Sequence, residues 1–303
     1  MNKIKVGIVG YGNLGKALEK LLFFDKRFKL VKIFSRRRIE AKYVSVDDYQ
    51  NIEKYAKKID IMFLAGGSYS NLREQAERCI KNFCTIDAFD THQKIDEHIT
   101  TLNQLASKNF KTALCSLGWD PGLFSLYRVL TKSIEGNQIS CWGKGVSQGH
   151  SEALRRLPEV IDAVQYTVPN TQKINALKSG KSLDLSGLHI RECFVYSNGN
   201  DKAVDDKIKS IPYYFKGQKV IINHVDKKNI LRKKKLYHAG EVFSIGSEMQ
   251  FKIKTKSNPE FTAKIMIAFA PVLYEFWTDK KFGAYSILDI PIGKLLENSK
   301  ELI

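Results

Sequence analysis

A glycine-rich turn near the start of the chain joins a short apolar segment to an amphipathic one. The turn is Gly10-Tyr11-Gly12-Asn13-Leu14-Gly15, a complete GxGxxG pattern. The apolar run at residues 4–9 predicts a buried strand, and the apolar spacing at residues 13–24 predicts a helix. In this context the glycines allow a tight turn, close approach of the backbone to a pyrophosphate, and helix–strand packing. The pattern therefore predicts a dinucleotide at the helix N-terminus, with a glycine-rich turn that binds nothing as the alternative.

The end of the second predicted strand, residues 30–34, indicates which dinucleotide binds. Sites for NAD usually carry Asp or Glu there, to bond the ribose 2′-hydroxyl. This chain carries Ser35, Arg36 and Arg37, followed by a third arginine, Arg38. Guanidinium groups bind a phosphate in a bidentate manner, whereas a carboxylate would repel it. We therefore predict NADP as the cofactor; the alternative is that these arginines only face solvent.

Further strand and helix patterns alternate as far as residue 117. Apolar runs at 59–65, 83–88 and 112–117 predict strands, and helical spacing at 71–81 and 95–107 predicts helices between them. Such alternation is typical of an α/β fold with a Rossmann-type, doubly wound parallel sheet. Ligands bind at the carboxyl edge of such sheets, so Gly67, Ser68 and Asp90 are candidate cofactor contacts.

The pattern changes after Gly118. Helical spacing at 122–135 and 151–166 is followed by strand-like segments at 188–196, 220–225 and 241–255, and a helix is predicted at 261–277. We expect a dinucleotide-binding domain at 1–119 and an α+β domain with an antiparallel sheet at 120–260. Residues 261–303 are expected to return to the first domain.

The charge of the chain is unusually basic, with 49 Lys and Arg against 32 Asp and Glu, a net charge of +17. The excess is dispersed: residues 1–120 carry 21 basic and 14 acidic residues, and the rest carry 28 and 18. The densest basic run, residues 227–235, has no interleaved aromatic residues, which favours a solvated loop over a nucleic-acid patch. We therefore expect no nucleic-acid partner.

Cysteine and histidine usage argues against disulfides and against a metal site. The five cysteines are scattered with no CxxC pair, and the six histidines form no HxxxH pair, so reduced buried thiols are expected. The longest mainly apolar stretch, residues 61–67, is far too short to span a bilayer, and residues 1–10 do not resemble a signal peptide. A cytoplasmic protein with no membrane partner is the expectation.

A carboxylate follows the last strand predicted for the parallel sheet. The segment reads Gly118-Trp119-Asp120-Pro121-Gly122, which places Asp120 at the mouth of the sheet. A carboxylate there suits a substrate ammonium group. The alternative is structural, because Asp followed by Pro is also a common helix start, with Asp at the N-cap and Pro at the first helical position. Both roles are compatible, since a capping residue can face a cleft.

Several segments together resemble the meso-diaminopimelate dehydrogenase family over nearly the whole chain. They are GIVGYGNLG at 7–15, FSRR at 34–37, FDTH at 89–92, GWDPG at 118–122, WGKGVSQGHSEALRR at 142–156, VQYTVP at 164–169, RECFV at 191–195, HAG at 238–240 and NPEFTA at 258–263. The GWDPG and SQGHS stretches are far more specific than any dinucleotide fingerprint. The chain departs from the family pattern at Lys144, where Pro is more usual, and in residues 227–237.

The resemblance implies roles for individual residues. Asp90 and Asp120 would act at the reacting D-amino centre, with Trp119 and Trp142 as walls, and Gln148 and Gly149 would lie in the substrate loop. Thr167, Arg191, His238 and Asn258, here called the distal set, would hold the L-amino-acid end. Asp90, Trp119, Asp120, Pro121 and Gly122 would also contact the cofactor.

The resemblance further implies an activity and a quaternary state. The chain would be a homodimeric NADP-dependent enzyme that deaminates meso-2,6-diaminoheptanedioate at its D-centre, in diaminopimelate and lysine biosynthesis. One alternative is a broad-specificity D-amino-acid dehydrogenase, because a few substitutions in the distal set would relax recognition. Another is a non-catalytic NADPH sensor, which the retention of Asp90 and Asp120 disfavours.

Overall fold

The computed structural model describes residues 3–67, 71–181, 184–245, 248–296 and 299–302. The chain divides into two compact units, Met1–Ser125 with Pro259–Ile303, and Leu126–Asn258. The boundaries drawn from the sequence, after residues 119 and 260, lie within six residues of these divisions. Within the described ranges, no helix has both the length and the apolar character that crossing a membrane demands.

The amino-terminal part of the first unit alternates strands and helices, as its sequence periodicity predicts. Its elements are β1 (Ile4–Val9), α1 (Asn13–Phe24), β2 (Phe28–Ser35), β3 (Val46–Asp48), β4 (Ile61–Leu64), α2 (Leu72–Cys79), β5 (Cys84–Asp87), α3 (Ile95–Lys108), β6 (Thr112–Leu114) and α4 (Leu123–Glu135), the last of which crosses the division. Two short 3₁₀ helices lie at Tyr49–Tyr55 and His92–Lys94.

The second unit mixes short helices with longer strands. Its elements are β7 (Gln138–Trp142), β8 (Gly145–Ser147), α5 (Gln148–Arg155), β9 (Val160–Pro169), α6 (Thr171–Lys178), β10 (His189–Ser197), α7 (Asp201–Ser210), β11 (Lys219–His224), α8 (Lys227–Lys233), β12 (His238–Ser244) and β13 (Gln250–Thr255). The chain then enters α9 (Asn258–Thr278) and β14 (Gly283–Tyr285), followed by 3₁₀ turns at Ile287–Asp289, Ile292–Leu295 and Ser299–Leu302.

The sheet of the first unit has seven strands in the order β14-β6-β5-β4-β1-β2-β3, all pairing in parallel. This confirms the predicted Rossmann-type parallel sheet. The β4 strand is buried at every position, as expected for a central strand that is covered on both faces. The order reverses beside β1, so the turn after β1 lies at the switch point where such sheets bind ligands.

The second unit is of the predicted α+β type but differs from the predicted sheet. Its four-stranded sheet, β11-β10-β9-β8, is mixed because β10 and β11 pair in parallel, and a three-stranded antiparallel sheet has the order β13-β12-β7. The helix predicted at 151–166 is wrong beyond Arg155, since Val160–Pro169 forms β9 between β8 and β10. The basic run predicted as a loop contains helix α8, which Asp226 caps.

All five cysteines are free and buried, as predicted. Burial raises the pKa of the Cys79, Cys84, Cys141 and Cys193 thiols to about 12, so these groups stay protonated at neutral pH. They act as small apolar core side chains rather than as nucleophiles.

Candidate active site

Glycine is required at two positions of the turn between β1 and α1. Gly10 has a φ of +94°, and a Cβ there would lie 3.0 Å from the Ala65 carbonyl oxygen. A Cβ on Gly15 would lie only 2.2 Å from the carbonyl oxygen of Gly10. The first position therefore needs glycine for its backbone conformation, and the last needs it for helix–strand contact.

The N-terminus of α1 is open to an anion. The N-cap residue is Gly12, no side chain of the described residues caps the helix, and its first turn has no acidic residue. A Cβ at Gly12 would meet nothing within 4 Å, so the backbone there can be approached closely. Unpaired amides and the helix dipole favour a phosphate at such a position. Asn13 and Leu14 open the helix at this point.

The side chain of Tyr11 points to the helix. Its hydroxyl donates to Oε2 of Glu19 at 2.5 Å, and the backbone N–H of Tyr43 donates to the other carboxylate oxygen at 2.7 Å. Burial, reinforced by Glu19, raises the pKa of Tyr11 to about 12. Glu19 is buried, so this carboxylate links the glycine turn to the segment that follows the arginines.

The three arginines after β2 are exposed at the carboxyl edge of the sheet. Among the described residues, none of them forms an ion pair with a carboxylate. Ser35 accepts the backbone N–H of Arg37 at 3.1 Å, which orders the start of this segment. Unpaired guanidinium groups beside a hydroxyl suit a phosphate ligand.

The loops after β4 and β5 reach the same edge of the sheet. Gly67 accepts the N–H groups of Asn71 and Leu72 at 3.1 Å each, and so leads into α2. Ser68, another predicted cofactor contact, lies outside the described residues. Asp90 follows β5 by three residues and is half-buried.

The segment from Trp119 to Gly122 forms a tight turn before α4. Gly118 donates its N–H to the carbonyl of Pro121 at 2.9 Å, and a Cβ on Gly122 would lie 1.7 Å from the Gly118 carbonyl oxygen. The Trp119 ring is buried edge-on against Phe124. Because α4 begins at Leu123, Asp120 and Pro121 do not occupy the N-cap and first helical positions that the structural alternative gave them. The half-buried Asp120 instead belongs to the turn itself.

The groups of the first unit fit a dinucleotide that carries a 2′-phosphate. The open helix N-terminus matches the diphosphate, and the arginines without acidic partners match the additional phosphate. A carboxylate that would hold a ribose 2′-hydroxyl is absent from the stretch 34–38.

In the second unit, strand register brings Arg191 and Thr167 together. They face each other on β10 and β9, and the Arg191 Nη1 donates to Thr167 Oγ1 at 2.8 Å. Burial lowers the Arg191 pKa to about 10, which still leaves the guanidinium charged at neutral pH. Its buried Nε–H has no acceptor, and no carboxylate pairs with it, within the described ranges. A ligand carboxylate would supply both the acceptor for the Nε–H and the negative charge opposite the guanidinium.

His189 belongs to the same cluster and was missed by the sequence analysis. Its Nε2 accepts the backbone N–H of Trp142 at 2.9 Å, and its ring lies 5.1 Å from the Trp142 ring. The signal was available, because residues two apart on a strand share a face and His189 precedes Arg191 by two. His189 therefore fixes the backbone of Trp142, a predicted wall of the site.

His238 and Asn258 complete the distal set. His238 is buried at the start of β12, where Gly145 packs so closely that a Cβ would lie 2.4 Å from the His238 Cα. Asn258 donates its N–H to the Leu236 carbonyl at 2.6 Å, two residues before His238. The Asn258 side-chain oxygen is buried and accepts no hydrogen bond from the described residues.

Gln148 and Gly149 form the first turn of α5. The N-cap is Ser147, whose hydroxyl lies 2.8 Å from Nδ1 of His150 and 3.4 Å from its backbone nitrogen. Gly149 is buried and Gln148 is half-buried. The helix thus begins at residue 148 rather than 151, which places both residues on a rigid element.

We expect the protein to lose stability as the pH falls from about 6.5 towards 4. Burial lowers the pKa of both His189 and His238 from 6.5 to about 4, with Arg191 adding to the effect. The neutral imidazoles are therefore favoured by folding above pH 6.5, and that stabilisation is lost as protons bind. Each histidine should contribute about 2 kcal/mol to the loss between pH 7 and pH 5, measured by urea unfolding.

Two variants check the source of this pH dependence. His189→Gln retains an acceptor for Trp142 but cannot titrate, so the loss between pH 7 and pH 5 should fall by about 2 kcal/mol. The matched control is His92→Gln at an exposed position, which should leave the loss unchanged. Equal pH dependence in the two variants would contradict the assignment to His189.

The second unit matches a known family model. Residues 118–265 match the family described as the diaminopimelic acid dehydrogenase C-terminal domain. The whole chain is also similar to characterised proteins. It is 38% identical to the meso-diaminopimelate D-dehydrogenase of Ureibacillus thermosphaericus, covering 99% of this chain and 98% of that protein. It is 36% identical to the Corynebacterium glutamicum enzyme of the same name, covering 100% and 99%.

Solved structures agree with these sequence matches. The C. glutamicum diaminopimelate dehydrogenase in complex with diaminopimelate superposes with a TM-score of 0.92 at 35% identity, covering 100% of this chain and 98% of that chain. An engineered D-amino acid dehydrogenase bound to NADP⁺ also gives 0.92, at 34% identity and 98% and 97% coverage. At this level of identity over nearly the full length of both chains, the chain belongs to the meso-diaminopimelate D-dehydrogenase family.

Proposed function

We propose that the protein catalyses the reversible NADP-dependent oxidative deamination of meso-2,6-diaminoheptanedioate at its D-centre. The products are L-2-amino-6-oxoheptanedioate and ammonia, and the reaction serves diaminopimelate and lysine biosynthesis. The observation that carries the proposal is Arg191, a charged guanidinium bonded to Thr167 and without an acidic partner among the described residues. A substrate with a second carboxylate far from the reacting centre satisfies it.

The cofactor is NADP, which when bound supplies the hydride acceptor. The glycine turn and the first turn of α1 hold its diphosphate through backbone N–H groups. Arg36 and Arg37 bind the 2′-phosphate and so select NADP over NAD. The protein's own contribution is to hold the reacting atoms in line, because the cofactor carries the redox chemistry.

Asp90 and Asp120 act at the reacting end. The substrate amino group binds as an ammonium ion. It must give a proton to water before the hydride leaves Cα, because the nitrogen lone pair forms the C=N bond. A carboxylate beside the ammonium orients it and stabilises its positive charge. Water then adds to the imine carbon and ammonia departs. Trp119, which is buried against Phe124, excludes bulk water from the reacting end.

The distal set recognises the L-amino-acid end. Arg191 and Thr167 bind the carboxylate, and the Asn258 oxygen, which lacks a donor among the described residues, accepts from the ammonium. The neutral His238 adds a polar contact without adding charge. Buried groups of this kind reject substrates that lack matching atoms. We also propose a cytoplasmic homodimer, with the second unit providing the interface.

Absorbance of NADPH tests the proposal directly. The purified protein should reduce NADP with meso-diaminopimelate and fail to do so with the L,L isomer, which has no D-centre. The D,D isomer and simple D-amino acids test how broad the substrate specificity is, because a broad-specificity enzyme would accept them. Absence of NADP reduction with the meso compound would refute the proposed function.

Asp120→Ala is expected to lower kcat/KM for meso-diaminopimelate by about 10- to 150-fold, the value of a lost charge-assisted contact. Asp120→Asn keeps the size of the side chain and loses only its charge, so it should lose activity to a similar degree. Steady-state kinetics and circular dichroism measure activity and folding separately. Full activity of the Asn variant would show that Asp120 has no electrostatic role.

A further inference from the structure

A buried carboxylate outside the predicted site joins the two loops that carry its reacting-end residues. Asp87 is the last residue of β5 and is 0% exposed. Its Oδ1 accepts the backbone N–H groups of Phe89 at 3.0 Å and Ser116 at 2.8 Å. Its own carbonyl accepts the N–H of Leu117 at 2.7 Å. One residue thus holds the backbone that leads to Asp90 and the backbone that leads to Trp119 and Asp120.

A histidine from α3 holds this carboxylate. His98 Nε2 lies 2.8 Å from Asp87 Oδ2, and the imidazole is 1% exposed. The same ring stacks on Phe89, with centroids 4.4 Å apart and planes 19° apart. His98 therefore supports the loop after β5 in two ways, through the carboxylate and through the aromatic contact.

The hydrogen-bond pattern shows which group of the pair donates and which accepts. Three donors converge on Asp87, and an ionised carboxylate accepts from all of them. The His98 Nδ1 is buried without a partner in the described part of the chain, so a proton there would be an unsatisfied donor. We therefore assign His98 Nε2–H as the donor and Asp87 Oδ2 as the acceptor of this hydrogen bond.

Ser116 shows why the loop after β6 needs this support. Its φ of +56° lies in the left-handed region, which is strained for a residue with a Cβ. The bond from its N–H to Asp87 offsets that strain. Without the bond, the backbone can relax towards ordinary φ values and displace the residues that follow, Leu117 to Asp120.

A metal ion does not explain the cluster, although Cys115 lies close enough to serve as a third ligand, with the ligand atoms within 4.8 Å of one another. Both Asp87 oxygens already accept hydrogen bonds. Burial also raises the pKa of the Cys115 thiol well above its usual value, which disfavours the thiolate that a metal requires.

We infer that Asp87 and His98 form a positioning pair for the reaction: they fix the two loops that present Asp90 and Trp119–Asp120 to the substrate. The inference rests on the proposed function, because it assigns these loops to the reacting end. Neither residue touches substrate. Displacement of reacting groups by about 1 Å can cost on the order of 10²-fold in rate, so the pair should govern kcat more than ligand affinity.

Three variants test the pair. Asp87→Asn places an amide NH₂ against the Nε2–H of His98, and His98→Leu removes the donor altogether. We expect each to lower kcat with meso-diaminopimelate about 10- to 100-fold. Binding of adenosine 2′,5′-bisphosphate, which probes only the adenosine end of the cofactor site, should stay within about twofold of the native value. His98→Gln can place its amide nitrogen where Nε2 was, and should restore most of kcat.

The matched control separates positioning from general loss of stability. Leu102 lies one turn after His98 on the same buried face of α3 and has no polar atoms. Leu102→Ala should lower the midpoint of urea unfolding, because it leaves a cavity in the core. At a temperature where circular dichroism shows every variant folded, Leu102→Ala should keep kcat within about threefold of native.

The outcomes are distinct. If Asp87→Asn and His98→Leu keep native kcat, or if Leu102→Ala loses as much kcat as they do, the positioning role is overturned. If His98→Gln is no better than His98→Leu, the hydrogen bond is not what matters and the inference also fails. A native protein with no activity on meso-diaminopimelate overturns the proposed function itself, and this inference falls with it.

Discussion

Native protein is expected to oxidise meso-diaminopimelate with a kcat/KM at least about 10³-fold above that for D-alanine or D-lysine. Both simple amino acids lack the second carboxylate. They would leave the half-buried, charged Arg191 with its hydrogen bond to the Thr167 hydroxyl and with no acidic partner among the described residues. An unpaired charge of this kind costs several kcal/mol, which appears as lost transition-state binding. Initial rates of NADP reduction over a range of substrate concentrations measure the ratio.

Arg191→Met should narrow this preference from both sides. The apolar side chain cannot bind the distal carboxylate, so kcat/KM for the meso compound should fall. It also leaves no buried charge unpaired when that carboxylate is missing, so kcat/KM for simple D-amino acids should fall less. Arg232→Met is the matched control, since it removes the same charge from an exposed position of α8. Arg232→Met should leave the ratio of kcat/KM for meso-diaminopimelate to that for D-alanine unchanged. Comparable native turnover of D-alanine and meso-diaminopimelate would favour the broad-specificity alternative instead.

The second large effect is expected in cofactor selection. Arg36→Ala combined with Arg37→Ala should raise the KM for NADP by roughly 10²- to 10⁴-fold, because each lost charge-assisted contact costs about 1.5–3 kcal/mol. The KM for NAD should remain nearly unchanged, because NAD carries no 2′-phosphate. The measurement is the ratio of the two KM values at constant ionic strength.

The matched control removes two positive charges from the other end of the same strand. Lys26 and Lys29 are exposed near the start of β2, whereas the arginines follow its end. The double variant Lys26→Ala with Lys29→Ala should leave the NADP-to-NAD ratio as in the native protein. If native protein binds NAD as tightly as NADP, the assignment of the arginines is wrong.

The first unit was the part most open to prediction from sequence. Its signals are local: an apolar run, a glycine turn and helical spacing follow one another within residues 4–24, and the structure has β1 and α1 there. Parallel strands buried on both faces are continuously apolar, and that property survives any tertiary arrangement. The family resemblance likewise rested on short contiguous motifs.

In the second unit, local sequence patterns were not enough to predict the secondary structure. Residues 151–166 were predicted as one helix, but the backbone of residues 160–169 pairs with β8 and β10. These long-range hydrogen bonds decide in favour of a strand. The alternative that places Asp120 and Pro121 at the start of α4 is not met for a related reason. The turn closed by Gly118 and Pro121 uses the residues that would otherwise cap α4.

The sequence by itself determined the dinucleotide turn, the parallel sheet and the residue types that a diamino diacid requires, because each is encoded by neighbours in the chain. Tertiary structure alone decided which distant groups meet. Arg191 reaches Thr167 through strand register, His189 holds Trp142 from 47 residues away, and Asp87 joins two loops through His98. Such pairs depend on the packing of whole helices and strands. The role of a buried polar group can be assigned only when its hydrogen-bond partners are known.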